Sequence, residues 1–190
     1  PIFRLIRLRT LATYFTTSEL DIFLAAFRIP DFIFETIITG AVSSAFIPIF
    51  VKYKSDKKIL DANISSIINV ILFATILFII VMLALASKII PAITPGFDSV
   101  DMPRVIQLSQ LLLLLQLPFL VSGGILSGIG QANKIFIASA IAPVLYNIGI
   151  ILGTIFLSDR FGLGGPVLGV CIGGILLFLV QLPIIFITKF

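Results

Sequence analysis

Apolar and polar positions fall into long alternating blocks along the chain. Uncharged, strongly apolar stretches run from Ala62 to Ser87, Val105 to Asn133, Ile135 to Ser158 and Phe161 to Thr188. Each exceeds the roughly 20 residues with which an α-helix crosses a bilayer. A secretory signal does not account for them, since its apolar region is about 7–15 residues and occurs once. The punctuation between the blocks sets the elements. A short basic run over about 1–15 reads as a truncated first helix. Thr16 to Glu19 is a cap-like turn, with Thr17 or Ser18 as the cap and with Glu19 and Asp21 near the positive end of the next helix. That second helix spans about 21–53 and is open to kinking at Pro30, Gly40 and Pro48. After the polar linker Lys52 to Lys58, a third helix covers about 60–90 and is ended by Pro91 and the Pro95-Gly96 turn. Helices over about 103–130, 134–157 and 165–188 complete the set. The expectation is an all-α, polytopic membrane helix bundle, one membrane domain over 1–190 with about six transmembrane helices.

Composition agrees with the pattern. Hydrophobic residues make up 59% and charged residues 12% of the chain, against roughly 45–50% and 25% in soluble domains, and the mean hydropathy is +1.22. There is no His and a single Cys, Cys171. A His/Cys zinc site, a Cys-His dyad, a Ser-His-Asp triad and an internal disulfide are therefore excluded. The net charge of +4 points to nucleic acid only if the basic residues are free of a topological role. They are not: starting from a cytoplasmic N-terminus, nine basic residues (Arg4, Arg7, Arg9, Lys52, Lys54, Lys57, Lys58, Lys134, Lys189) fall inside and three (Lys88, Arg104, Arg160) outside. That is the asymmetry of a multi-pass protein with positive cytoplasmic loops.

The second helix carries the chemistry. Arg28, Asp31 and Glu35 are the charges deep in an otherwise apolar span, and each costs about 2.5–3.5 kcal/mol at mid-membrane on insertion scales. At 100° per residue, Arg28, Asp31, Glu35, Thr39 and Ser43 lie at relative angles of about 0°, 300°, 340°, 20° and 60°, a stripe about 120° wide. Two readings are open. Arg28 and Asp31 at (i, i+3) form a structural ion pair, or the stripe walls a wetted cavity, which its continuation through Thr39 and Ser43 favours. Two acids beside one arginine also leave a carboxylate whose protonation can change, as in proton or cation coupling. Arg7 is either a cytoplasmic anchor, like Arg4 and Arg9, or a guanidinium suited to bidentate contact with phosphate.

Small residues recur at GxxxG spacing in Gly124/Gly128, Gly149/Gly153, Gly165/Gly169 and Gly169/Gly173, which lets helices approach closely. Gln107, Gln110, Gln116, Asn147 and Gln181 serve as interhelical hydrogen bonds or as cavity lining. Gly162 to Gly165 lacks the dinucleotide pattern, and no GxxxxGK occurs.

The segment Asp21 to Asp31 (DIFLAAFRIPD), followed by Gly40 to Pro48 (GAVSSAFIP), resembles the signature of the bacterial lipid II flippases, the MurJ or MviN family. The likeness continues through Thr94-Pro95-Gly96-Phe97, Gly124 to Asn133, Ala142-Pro143, Asn147, Gly173-Gly174 and Gln181-Leu182-Pro183. It covers essentially the whole chain. It implies membership of the multidrug/oligosaccharidyl-lipid/polysaccharide exporter superfamily, with this chain as most of the N-terminal lobe of a two-lobed transporter. It implies alternating access that carries lipid-linked peptidoglycan precursor across the bacterial cytoplasmic membrane for cell wall synthesis, with arginines holding the pyrophosphate in a central cavity. Arg7, Leu11, Ala12 and Phe15 match the family's R-x-x-x-L-A-x-x-F pattern, although Thr16 replaces the glycine that usually follows. Asp21 matches the acid opening helix two, and Arg28 a basic residue there. Phe34 and Glu35 stand where some members carry arginine, so the cavity here either depends on Arg7, Arg28 and the remaining lobe for its positive charge or is less cationic.

The candidate substrate contacts are thus Arg7, Arg28, Asp31, Glu35, Thr39, Ser43 and Asn147, with Asp21 at the start of helix two. No catalytic residue, metal or cofactor is implied, and the expected partners are lipid II or a similar polyprenyl-pyrophosphate glycan, membrane lipid and the C-terminal lobe. The alternatives are an exporter of another polyprenyl-linked glycan or drug, a prenyl-phosphate transferase, for which Asp31 and Glu35 on one face would have to bind a metal, and a non-transporting scaffold.

Overall fold

The computed structural model describes residues 2–37, 47–53 and 56–188. Over these residues the chain is a helical bundle with the elements α1 (Ile2–Tyr14), α2 (Thr17–Glu35), α3 (Ile47–Tyr53), α4 (Lys57–Ile93), α5 (Met102–Leu115), α6 (Leu117–Ala132), α7 (Ile137–Phe161), α8 (Gly164–Leu179) and α9 (Pro183–Thr188). By length and apolarity α4, α7 and the combined α8–α9 segment can cross a membrane, and α5 with α6, bent by 42°, is long and apolar enough for a fourth crossing when the pair is taken as one span. α1, at 13 residues, is too short to meet that test, and α2 fails it because it carries Glu19, Asp21, Arg28, Asp31 and Glu35. The fold is an all-α membrane bundle, as the apolar blocks require.

Helix ends differ from the sequence reading for identifiable reasons. The cap of α2 is Thr16 rather than Thr17 or Ser18, because Thr16 and Glu19 complete a capping box. Glu19 Oε2 accepts from the Thr16 N–H at 3.0 Å, and the Glu19 N–H donates to Thr16 Oγ1 at 3.4 Å. Pro91 does not stop α4, which runs on to Ile93. It stops two residues before Pro95, where Thr94 leaves the helical region with φ −121° and ψ 64°, as residues preceding proline do. The start of α7 shifts to Ile137 because Lys134 has φ +61°. Its end shifts to Phe161, where Gly162 at φ +55° donates to the Ser158 carbonyl.

Two helices that read as continuous are broken, and by the same tripeptide. Gln116-Leu117-Pro118 separates α5 from α6, and Gln181-Leu182-Pro183 separates α8 from α9. Proline offers no N–H and its ring crowds the carbonyl four residues earlier, so the ladder opens just upstream. Both glutamines are buried, at 0% and 2% exposure, with their Oε1 atoms lacking a hydrogen-bond partner among the described residues.

The closest packing is α7 against α8. A Cβ on Gly149 would stand 2.6 Å from the Cα of Gly173, one on Gly153 would overlap the backbone of Gly169, and one on Gly165 would stand 2.6 Å from the Ser158 nitrogen. Three of the four glycine spacings are therefore packing surfaces. Around this pair α1 lies on α7, α6 on α8 and α2 on α5. The buried side of α2 carries Ile22, Phe23, Ala26, Ile29 and Ile33. On α4, Val70, Phe73, Ile76, Leu77 and Ile80 remain exposed, which suits a face turned to lipid tails rather than water.

Candidate functional site

With one side of α2 committed to the core, the other presents Asp21, Leu24, Arg28, Asp31 and Glu35, all exposed and spaced three and four apart. The charges of α2 thus share its exposed side, but they meet different neighbours. Arg28 Nη1 donates to the Ile93 carbonyl at 3.3 Å. Ile93 ends α4, so its carbonyl belongs to the last turn that has no intrahelical donor, at the negative end of the helix dipole. The (i, i+3) ion pair of Arg28 with Asp31 is not formed among the described residues.

Asp31 instead interacts electrostatically with Arg7 of α1 and with Glu35. Arg7 in turn interacts with Tyr146 of α7 and with Asp31. Arg7 is half-buried, and its Nε is enclosed without a hydrogen-bond partner among the described residues. Three helices therefore place a guanidinium, a carboxylate and a phenol within electrostatic range of one another, with no ion pair formed among the described residues, and a guanidinium donor without an acceptor is available to an anion.

Tyr146 is fixed from behind. Gln116 Nε2 donates to its hydroxyl at 2.8 Å, which ties α7 to the break between α5 and α6. On the next position of α7, Asn147 Nδ2 donates to the Pro143 carbonyl at 2.6 Å, while its Oδ1 is buried without a partner among the described residues. Asn147 and Gln116 thus each keep an amide oxygen without a hydrogen-bond partner among the described residues, that of Gln116 beside the phenol. Thr39 and Ser43 lie outside the described residues, and Glu35 is exposed beside Asp31. Asp21 lies seven residues before Arg28 on the same exposed side, and both line a cavity with Pro95, Gly96 and Phe97.

Tyr146 is the residue that the sequence reading did not single out. The signal was present: a tyrosine between Pro143 and Asn147 in an apolar span needs a partner for its hydroxyl. The sequence alone did not pair it with Gln116, thirty residues earlier.

The profile of the lipid II flippase MurJ family matches residues 11–190. The chain belongs to the MurJ family. The lipid II flippase MurJ of Thermosipho africanus is 34% identical over 171 residues, covering 88% of this chain and 34% of that protein. The lipid II flippase MurJ of Burkholderia cenocepacia is 30% identical over 169 residues, covering 86% and 33%. A solved lipid II flippase MurJ in an inward closed conformation superposes with a TM-score of 0.84 at 30% identity, covering 97% of this chain and 39% of that one. The chain thus spans about a third of the length of the curated MurJ relatives it matches. The match extends across α2, α7 and the helix breaks, so the elements that carry Asp31, Tyr146 and Gln116 all lie within the MurJ fold.

Proposed function

We propose that this chain forms one wall of the translocation cavity of a lipid II flippase, in which Arg7 contacts the pyrophosphate of the substrate. The observation that carries this reading is the Arg7 guanidinium, held inside a membrane bundle of the MurJ family with its Nε unpartnered and a carboxylate and a phenol beside it. A pyrophosphate oxygen arriving at Arg7 gains charge-assisted hydrogen bonds and competes with Asp31 for the same cation. Tyr146, held by Gln116, keeps the guanidinium to one side of the cavity, and Asn147 and Glu35 offer polar contacts to the glycan. The polyprenyl tail stays in lipid, and the second lobe supplies the opposite wall. Exchange of Asp31 between Arg7 and solvent links substrate occupancy to the charge of the cavity, which alternating access requires in some form.

This reading puts the protein in the bacterial cytoplasmic membrane with its N-terminus inside, in the service of peptidoglycan synthesis and cell shape; the apolar spans and the MurJ family support the membrane, and the basic-residue asymmetry supports the orientation. The test is complementation of a flippase-depleted bacterium by the full-length parent gene. Arg7→Ala is expected to abolish rescue while the protein stays inserted at the wild-type level, and Arg7→Lys to restore part of it. Full rescue by Arg7→Ala removes Arg7 from the mechanism. Comparing lipid II with other polyprenyl-linked glycans in a binding assay on the same protein tests the substrate.

A further inference from the structure

A recess of about 500 Å³ opens between α2 and the connection that follows α4, a size within the roughly 300–1,000 Å³ of small-ligand clefts. Asp21, Leu24 and Arg28 line one side, and Pro95, Gly96 and Phe97 the other. Asp21, Leu24 and Arg28 belong to the exposed side of α2 that also carries Asp31 and Glu35. A substrate in a translocation cavity walled by that side reaches the recess by extending along α2.

Charge decides what fits. Asp21 and Arg28 are seven residues apart on one helix, so they stand on nearly the same bearing with a rise of about 10.5 Å between them. Among the described residues no ion pair joins them. Arg28 donates from Nη1 to the Ile93 carbonyl, which leaves most of a guanidinium's donors free, and the Asp21 carboxylate meets no donor among the described residues. A lone phosphate would meet Arg28 and be repelled by Asp21, so the recess does not duplicate the pyrophosphate contact of Arg7. Both side chains are satisfied by a molecule with a free ammonium and a free carboxylate a few ångströms apart. Leu24, Pro95 and Phe97 add an apolar surface beside the charges, which suits small apolar residues.

A peptidoglycan precursor carries such a segment: the sugar next to its pyrophosphate bears a short stem peptide with the free ammonium of a diamino acid and a terminal carboxylate. Asp31 lies within electrostatic range of Arg7, and from Asp31 to Asp21 the rise along α2 is about 15 Å. A peptide of about five residues extends to about 17 Å. Pyrophosphate at Arg7 and peptide in the recess are therefore compatible with one bound molecule.

We propose that this recess is a peptide subsite of the flippase, with the ammonium of the substrate's stem peptide on Asp21 and a peptide carboxylate on Arg28. The proposal rests on the reading of the chain as one wall of a lipid II translocation cavity, and it divides recognition between two places. Arg7 takes the pyrophosphate, which all polyprenyl-pyrophosphate glycans share. Asp21 and Arg28 take the peptide, which sets the peptidoglycan precursor apart from the others.

The test measures binding of four probes to the purified full-length parent protein: lipid II, lipid II acetylated on its diamino-acid ammonium, lipid II amidated on its peptide carboxylates, and the same polyprenyl-pyrophosphate disaccharide without its peptide. Each of the three altered probes is expected to bind wild type about tenfold more weakly than lipid II, the scale of one charge-assisted hydrogen bond. Asp21→Asn should bind lipid II and the acetylated probe alike, and Arg28→Gln lipid II and the amidated probe alike. Both variants should hold the peptide-free probe as wild type does. Equal binding of lipid II and the peptide-free probe by wild type, or discrimination against the acetylated probe that persists in Asp21→Asn, overturns the proposal. The peptide-free probe keeps the two readings apart. Its loss in Arg7→Ala upholds the pyrophosphate contact even where the peptide subsite fails, and binding indifferent to Arg7→Ala removes that contact while the ratios between probes still report on the recess. A second measurement leaves both charges in place. A Cβ at Gly96 meets nothing within 4 Å, so Gly96→Cys in a background otherwise free of cysteine fits without displacement. Its reaction with a polar maleimide should slow at saturating lipid II and not with the peptide-free probe. Equal slowing by both probes, or protection without any ligand because the rest of the chain fills the recess, also overturns the proposal.

Discussion

At the residue scale, small polar side chains at particular places hold this membrane fold together. Thr16 and Glu19 satisfy each other's backbone donors at the start of α2. Thr16→Ala is expected to cost about 1 kcal/mol, measured as a fall in the thermal midpoint of the detergent-solubilised full-length protein. The hydrogen bonds from the Thr16 N–H and hydroxyl hold the Glu19 carboxyl below the usual carboxylate range. A depressed folded value means that the contribution is present above the unfolded pKa and is lost as pH falls through the folded one. The difference between wild type and Thr16→Ala should therefore shrink below about pH 4, and a difference that grows on acidification contradicts the assignment. Tyr146→Phe should cost about 1–3 kcal/mol, because it leaves a fully buried Gln116 amide without its acceptor. Restoring an apolar match with Gln116→Leu on top of it should recover part of the loss, which a double-mutant cycle of unfolding midpoints measures.

At the element scale, glycine and proline divide the work. The α7–α8 pair is held by backbone against backbone, so Gly153→Leu or Gly169→Leu should separate the helices rather than merely crowd them. Either change should cost about 1–3 kcal/mol or more and reduce the yield of folded full-length protein in the membrane, whereas Gly164→Ala, whose added Cβ would meet only Phe161 Cβ at 3.4 Å, should cost far less. The two Gln-Leu-Pro tripeptides act in the opposite direction, opening helices at places where a glutamine then points inward. The apolar runs predicted the helices they interrupt, and the prolines were visible in the same sequence. A break was not legible from them, because Pro30, Pro91 and Pro143 sit inside helices that continue. Whether a proline interrupts a membrane helix depends on which neighbours receive the freed carbonyls, and that is a matter of packing.

At the scale of the whole molecule, orientation is the property most open to direct measurement. Lys58→Cys should react with an impermeant thiol reagent only from the cytoplasm and Arg160→Cys only from outside, since they fall on opposite sides in the basic-residue count. Labelling of both from one side reverses the topology. Hydrophobicity over a 20-residue scale determined the class of the fold and the positions of the long crossings, because burying an uncharged run in lipid needs no partner. The local motifs determined family membership in the same way, and the charges of α2 fell on one side of their helix as their spacing requires. What the tertiary structure decided is which charge meets which. Arg28 turns to the end of α4 instead of to Asp31 four ångströms or so along its own helix axis, and Asp31 lies within electrostatic range of Arg7 and Tyr146 from two other helices. Charge pairing in a bundle is decided by the groups left unsatisfied on neighbouring elements, such as a terminal carbonyl or a buried phenol, and those neighbours are set by three-dimensional packing, which periodicity along one helix does not encode.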